Sequence, residues 1–242
     1  MIHLHDLWIN AMWSCKEKIK EEIIYDEDGQ IRERRSTLNG KLEGEYTSYF
    51  GNGQVNARLH FVNGLREGDA FSYYENGQLR EKGSFKNDAL EGEYISYYEN
   101  GRIKEIENYV AGRPDGEYTL FYTNGQMRDV EHFKDGKFHG EYVSYYKNGQ
   151  IREKGNFRND KREGEYIAYD RSGRIREKAT FRNGKPEGEF QCFYDETNDT
   201  GDDDEEAHVS ATGLKSLKEK ERRIDDLLKD LREFDKEKKE TP

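Results

Sequence analysis

A glycine preceded by an acidic residue or histidine returns every 24 residues along most of this chain, at Gly44, Gly68, Gly92, Gly116, Gly140, Gly164 and Gly188. A second series, Gly29, Gly53, Gly77, Gly101, Gly125, Gly149 and Gly173, keeps the same interval, as does the aliphatic series Ile31, Val55, Leu79, Ile103, Met127, Ile151 and Ile175. Two aromatic rows follow it. Tyr49, Tyr73, Tyr97, Phe121, Tyr145, Tyr169 and Phe193 form one; Phe61, Phe85, Tyr109, Phe133, Phe157 and Phe181 form the other. A strict period of this length means that one small supersecondary unit stacks on copies of itself, so each copy shares its core with its neighbours.

The unit reads as strand, turn, strand. In residues 140–157, Gly140-Glu-Tyr-Val-Ser-Tyr-Tyr146 alternates polar and aromatic residues, and Ile151-Arg-Glu-Lys-Gly-Asn-Phe157 does so again. Between them Asn148-Gly149 supplies two residues that tolerate positive φ, the chemistry of a two-residue type I′ hairpin. The return through residues 158–163 is polar and reads as a looser connection at the opposite sheet edge. Pairing Tyr146 with Ile151 sets Ser144 opposite Glu153 and Tyr142 opposite Gly155. One face then collects Tyr142, Tyr146, Ile151 and Phe157, and the other Glu141, Val143, Tyr145, Arg152 and Lys154. On the second face each row aromatic meets an arginine: Tyr73 and Arg80, Phe121 and Arg128, Tyr145 and Arg152, Tyr169 and Arg176. The expected fold is all-β: an elongated single-layer antiparallel ribbon of 24-residue hairpins, roughly 10 Å per repeat.

Charge excludes several function classes. Residues 1–28 carry 3 basic and 7 acidic groups, residues 29–194 carry 27 of each, and residues 195–242 carry 10 and 17. A neutral array lacks the field on which nucleic-acid binding and adhesion to anionic lipid depend. No apolar run approaches the roughly 18 residues of a membrane span. Cys15 and Cys192 match no metal or redox spacing, and a reducing, cytoplasmic setting is expected. Met12-Trp13-Ser14-Cys15 has the outline of a lipoprotein box but lacks a preceding basic residue, and is not read as one.

The Glu-Gly-Glu-Tyr, Tyr-Tyr-x-Asn-Gly and Phe-x-Asn-Gly elements of residues 20–194 resemble MORN repeats (membrane occupation and recognition nexus), in their bacterial variant form. The resemblance implies a β-hairpin array used for protein contacts. Some bacterial members are labelled YwqK-family antitoxins, which implies a toxin as partner. Eukaryotic members are linked to membrane phospholipid, so a peripheral membrane adaptor is the competing expectation.

Both ends differ from the array. Residues 1–19 read as a capping segment with a short helix, or as a docking peptide anchored by Trp8 and Trp13. Residues 195–213 read as an acidic linker, and residues 214–239 as an amphipathic helix whose Leu217, Ile224, Leu228 and Leu231 fall at heptad-like spacing. That helix is expected either to dock on the apolar sheet face or a partner, or to pair with a second copy into a homodimer.

No catalytic constellation emerges. The carboxylates recur in every unit beside Lys or Arg, as cross-strand charge pairs do, whereas catalysis needs one singular pocket. His3 and His5 near the amino terminus are read as incidental, so neither metal nor cofactor is expected. The reading is therefore a non-enzymatic protein-binding scaffold. Its candidate contact residues are Tyr73, Tyr97, Phe121, Tyr145 and Tyr169 with Arg80, Arg128, Arg152 and Arg176, and alternation alone leaves open which face binds.

Overall fold

A computed structural model of the chain describes residues 18–193; the segments read as an N-terminal cap, an acidic linker and an amphipathic helix fall outside the described residues, apart from Lys18 and Ile19. The described part is a single antiparallel sheet of 21 strand segments. Each long strand pairs with the one before and the one after it in sequence. In the repeat centred on residue 150, Lys137–Tyr145 pairs with Ile151–Arg158, which pairs in turn with Gly164–Tyr169. The hairpin array runs from Lys20–Tyr25 to Gln191–Cys192, as the 24-residue period requires.

The two turn classes are exchanged relative to the sequence expectation. At the Tyr-x-Asn-Gly end, the Gly149 N–H donates to the Tyr146 carbonyl and the Tyr146 N–H to the Gln150 carbonyl, each at 2.8 Å. The loop is therefore three residues long, with Gly149 alone at positive φ, 82°. Asn148 acts through its side chain, whose Oδ1 accepts the Gln150 N–H at 3.0 Å. This is a type I turn closed by a left-handed glycine, the usual three-residue hairpin. The two-residue turns with both central φ positive lie at the opposite edge, the connection expected to be loose: Asn63-Gly64 at 53° and 84°, Asn159-Asp160 at 51° and 66°. There Arg158 faces Lys161 directly.

A β-bulge corrects the faces. Tyr142 opposes Gly155 and Ser144 opposes Glu153 as expected, but Tyr145, rather than Tyr146, pairs with Ile151, and Arg152 is the extra residue. The same irregularity recurs after Ser48, Ser72, Ser96, Leu120 and Ala168. A bulge inserts one residue and so changes which side chains share a face. Ile151 therefore lies with Tyr145, not with Tyr142 and Phe157.

Packing concentrates on the Tyr142 face. Tyr46, Tyr94, Tyr142 and Tyr166 are buried there. Tyr46 meets Phe61 edge-on at 6.0 Å between centroids, and Tyr166 meets Phe181 at 6.1 Å. Residues just after the two-residue turns fill the gaps between rings of successive repeats: Phe138 lies 4.4 Å from Phe133 and 5.3 Å from Phe157, and the Arg66 guanidinium lies 4.2 Å from the Phe85 ring. Aromatic edge contacts of this kind add about 0.5–1.5 kcal/mol each beyond area burial.

Candidate functional site

Four surfaces could carry function: the packed face, the two turn edges and the Tyr145 face. The edges are occupied by bonds between repeats. At the Tyr-x-Asn-Gly edge, the hydroxyls of Tyr74, Tyr98, Tyr122 and Tyr146 donate to the carbonyls of Tyr97, Phe121, Tyr145 and Tyr169 at 2.6, 2.6, 2.7 and 2.8 Å. Each bond crosses to the next repeat, 23 residues on. At the opposite edge, Glu43, Glu67, Glu91 and Glu163 accept the backbone N–H of Asn63, Asn87, Ala111 and Asn183, all at 2.8–2.9 Å. Asp115 does the same for Asp135 at 3.0 Å. Each of these five acids thus caps the next unit's type I′ turn.

The packed face holds a buried line of carboxylates. Glu33, Glu81, Glu105 and Glu153 are each no more than 9 % exposed, and Asp129 continues their 24-residue series. Ser72 and Ser96 hydroxyls donate to Glu81 and Glu105 at 3.0 Å. Tyr118 and Tyr166 hydroxyls reach back 13 residues to donate to Glu105 at 3.2 Å and Glu153 at 2.9 Å. Burial, with the charge of Glu105 behind it, drives the Tyr118 hydroxyl well above its usual range. Burial likewise raises Asp129, against the opposing pull of Arg128 and Arg152. The serine bonds lie within a hairpin and the tyrosine bonds cross to the next, and a buried polar group without a partner costs about 1–3 kcal/mol. The sequence reading took such acids for solvated charge pairs; their 24-residue recurrence opposite Ser was the signal for the buried relay.

The Tyr145 face carries the residues singled out from sequence. Tyr73, Tyr97, Phe121, Tyr145 and Tyr169 do form one row along it, half-buried, beside Leu79, Ile103, Met127 and Ile151. The arginines do not face them as expected. The bulge leaves Arg80, Arg128 and Arg176 against the acid that follows each: Arg80 Nε lies 3.6 Å from Glu81, Arg128 Nε 3.4 Å from Asp129, and Arg176 Nε 3.3 Å from Glu177. Arg152 occupies the same extra position. Cations do approach the aromatic row, but from the preceding repeat: the Arg58 guanidinium lies 6.0 Å from the Tyr73 ring and Lys154 Nζ 5.9 Å from the Tyr169 ring. At that range cation-aromatic attraction is about 0.5–1 kcal/mol on an exposed surface.

Cys192 is exposed, and among the described residues no group of three or more His, Cys, Asp or Glu is placed to hold a metal ion. No helix among the described residues is long and apolar enough to cross a membrane.

The model of the MORN repeat variant family matches six successive segments, residues 42–63, 66–87, 90–111, 114–135, 138–159 and 162–183. A search of curated proteins returned no match. Among solved structures, the chain is similar to one in a GtfA/B complex bound to UDP and GlcNAc, at 18 % identity over 57 % of this chain and 24 % of that one, TM-score 0.19. A chain of a TcdB2-TccC3-Cdc42 structure matches at 12 % identity over 70 % of this chain and 13 % of that one, TM-score 0.22. A protein of unknown function from Bacteroides fragilis matches at 8 % identity over 70 % and 96 %, TM-score 0.12. The chain thus spans under a quarter of the length of the first two.

Proposed function

The chain belongs to the MORN repeat variant family, and from that premise we propose that it is a non-enzymatic scaffold whose Tyr145 face holds a protein partner. One observation carries the reading. Recurring polar groups of both edges, and the Tyr118 and Tyr166 hydroxyls of the packed face, are engaged in bonds between successive strands, whereas the Tyr145 face presents a half-buried aromatic and aliphatic surface along successive strands. Contiguous apolar surface of this kind marks interaction sites, and tyrosine is over-represented where interfaces concentrate their energy.

Affinity capture from the source cell with the full chain, against a variant carrying Tyr73→Ala, Tyr97→Ala and Tyr145→Ala, tests it. Loss of the captured partner with the far-ultraviolet spectrum preserved is expected. Unchanged capture would refute the assignment of this face. The narrower form, resting on the likeness to YwqK-family antitoxins, makes the partner a toxin; co-expression with the product of a neighbouring gene should then restore growth. Flotation with anionic vesicles separates the adaptor alternative, which requires the protein to rise with the lipid.

A further inference from the structure

The midline of the Tyr145 face is a single row of side chains, one per strand, that can be followed through the register from Arg34 to Lys178. Toward either end it alternates cations with uncharged residues. Arg34, Arg58 and Lys82 occupy one end and Lys154 and Lys178 the other. Between them Ile95, Ile106, Thr119, Val130 and Val143 follow one another across five successive strands without a charge. The interruption falls at Ile106 and Val130, the places where the other repeats put Arg58, Lys82, Lys154 or Lys178.

The same substitution removes, beside two acids, the cation position that the last repeat uses in an ion pair. In the last repeat Lys178 Nζ meets Glu165 at 2.5 Å, diagonally across the hairpin. The equivalents of Lys178, diagonal to Glu93 and Glu117, are Ile106 and Val130, and both glutamates are exposed. Glu117 accepts the Thr119 hydroxyl at 3.3 Å and has His132 Nε2 at 3.8 Å, a contact that is ionic only when the ring is protonated. On the other flank lie Tyr97, Phe121 and Tyr145, with Met127 at 47 % exposure. The central repeats thus offer an apolar track bordered on one side by aromatics and on the other by exposed acids.

We propose that this track binds a basic amphipathic helix of the partner, laid across the strands with its apolar stripe on half-buried Ile106 and Val130, either side of buried Thr119, and its cations toward Glu93 and Glu117. The inference rests on the scaffold reading and specifies its ligand. Five strands span about 19 Å at 4.8 Å per interval, the length of about 13 helical residues at 1.5 Å rise. One strand interval is close to the helical pitch of about 5.4 Å, so one apolar residue per turn meets one midline residue per strand. Glu93 and Glu117 lie two intervals apart, about 10 Å, which two cations spaced seven residues along a helix can span. An acidic-flanked helix would set like charges against these glutamates, which penalises the wrong partner by charge.

The test uses the full chain and a synthetic 16-residue peptide with leucine at helical one-face spacing and lysine at positions i and i+7 on one flank, read by fluorescence anisotropy. Saturable binding that weakens as salt rises is expected, with at least a tenfold loss for the peptide carrying glutamate in place of lysine. Val130→Lys restores the missing cation and should abolish binding. Glu117→Lys, on an exposed side chain, should weaken it at least tenfold while the far-ultraviolet spectrum is preserved. Equal affinity for both peptides, or affinity unmoved by Glu117→Lys, overturns the proposal. Capture of the cellular partner by a folded Glu117→Lys chain as efficiently as by the wild type also overturns it, yet leaves the scaffold reading standing. Loss of capture in the triple tyrosine variant is a separate readout of that reading.

Discussion

Asp129→Glu should stabilise this protein, an unusual sign for a substitution at a buried charge. In the neighbouring repeats, Tyr118 and Tyr166 hydroxyls donate to Glu105 and Glu153 at 3.2 and 2.9 Å. The equivalent hydroxyl of Tyr142, 13 residues after Asp129, is buried without a partner, as is Ser144 Oγ across the ladder from Asp129. Asp129 is one methylene too short, and glutamate adds about 1.5 Å of reach. A hydrogen bond to an ionised acceptor contributes about 1.5–3 kcal/mol, offset by up to roughly 1 kcal/mol for ordering the longer side chain. The net gain is therefore about 1–2 kcal/mol, or a few degrees in melting temperature for a chain of this size. Urea unfolding at pH 7, with the slope m checked for constancy, measures it. The same substitution in a Tyr142→Phe background should give no gain, because the donor is gone. A gain of equal size in both backgrounds, or destabilisation in both, would refute the argument.

The same site fixes a pH dependence: burial raises the Asp129 pKa above 3.8, so the ionised form is disfavoured in the folded chain. The penalty is absent below pH 3.8 and grows as pH rises through the folded pKa, so the stability of Asp129→Asn relative to wild type should increase over that window and then level off, as pH-resolved melting would record. Tyr122→Phe removes the hydroxyl bond to the Tyr145 carbonyl and should cost about 1 kcal/mol, whereas Phe50→Tyr, at the position lacking that hydroxyl, should recover a similar amount in thermal unfolding. Gly155→Ala places a methyl 2.8 Å from Tyr142 Cε1 and should destabilise by about 1–3 kcal/mol, visible in the urea midpoint. Glu91→Ala leaves the Ala111 N–H of the next turn without its acceptor and should cost about 0.5–1.5 kcal/mol, with faster hydrogen exchange at that amide.

The unbroken 24-residue interval determined the repeat, the antiparallel pairing of neighbours, and even the opposition of Ser144 to Glu153, because alternation within short strands and a glycine closing each three-residue turn leave few other arrangements. What the interval could not decide was local. Asn148-Gly149 is compatible with either a two- or a three-residue loop, and the choice depends on whether Asn148 uses its backbone or its side chain, which only the closing bonds around Tyr146 and Gln150 reveal. The bulge at Arg152 is equally silent in sequence, since one extra residue leaves composition and period intact while exchanging the company of Ile151. For that reason the aromatic row was legible as a row, but its arginine partners were not. The burial of Glu105 and Glu153 is a tertiary outcome as well: a carboxylate repeated beside arginines reads as solvated until the next repeat's tyrosine covers it and donates to it.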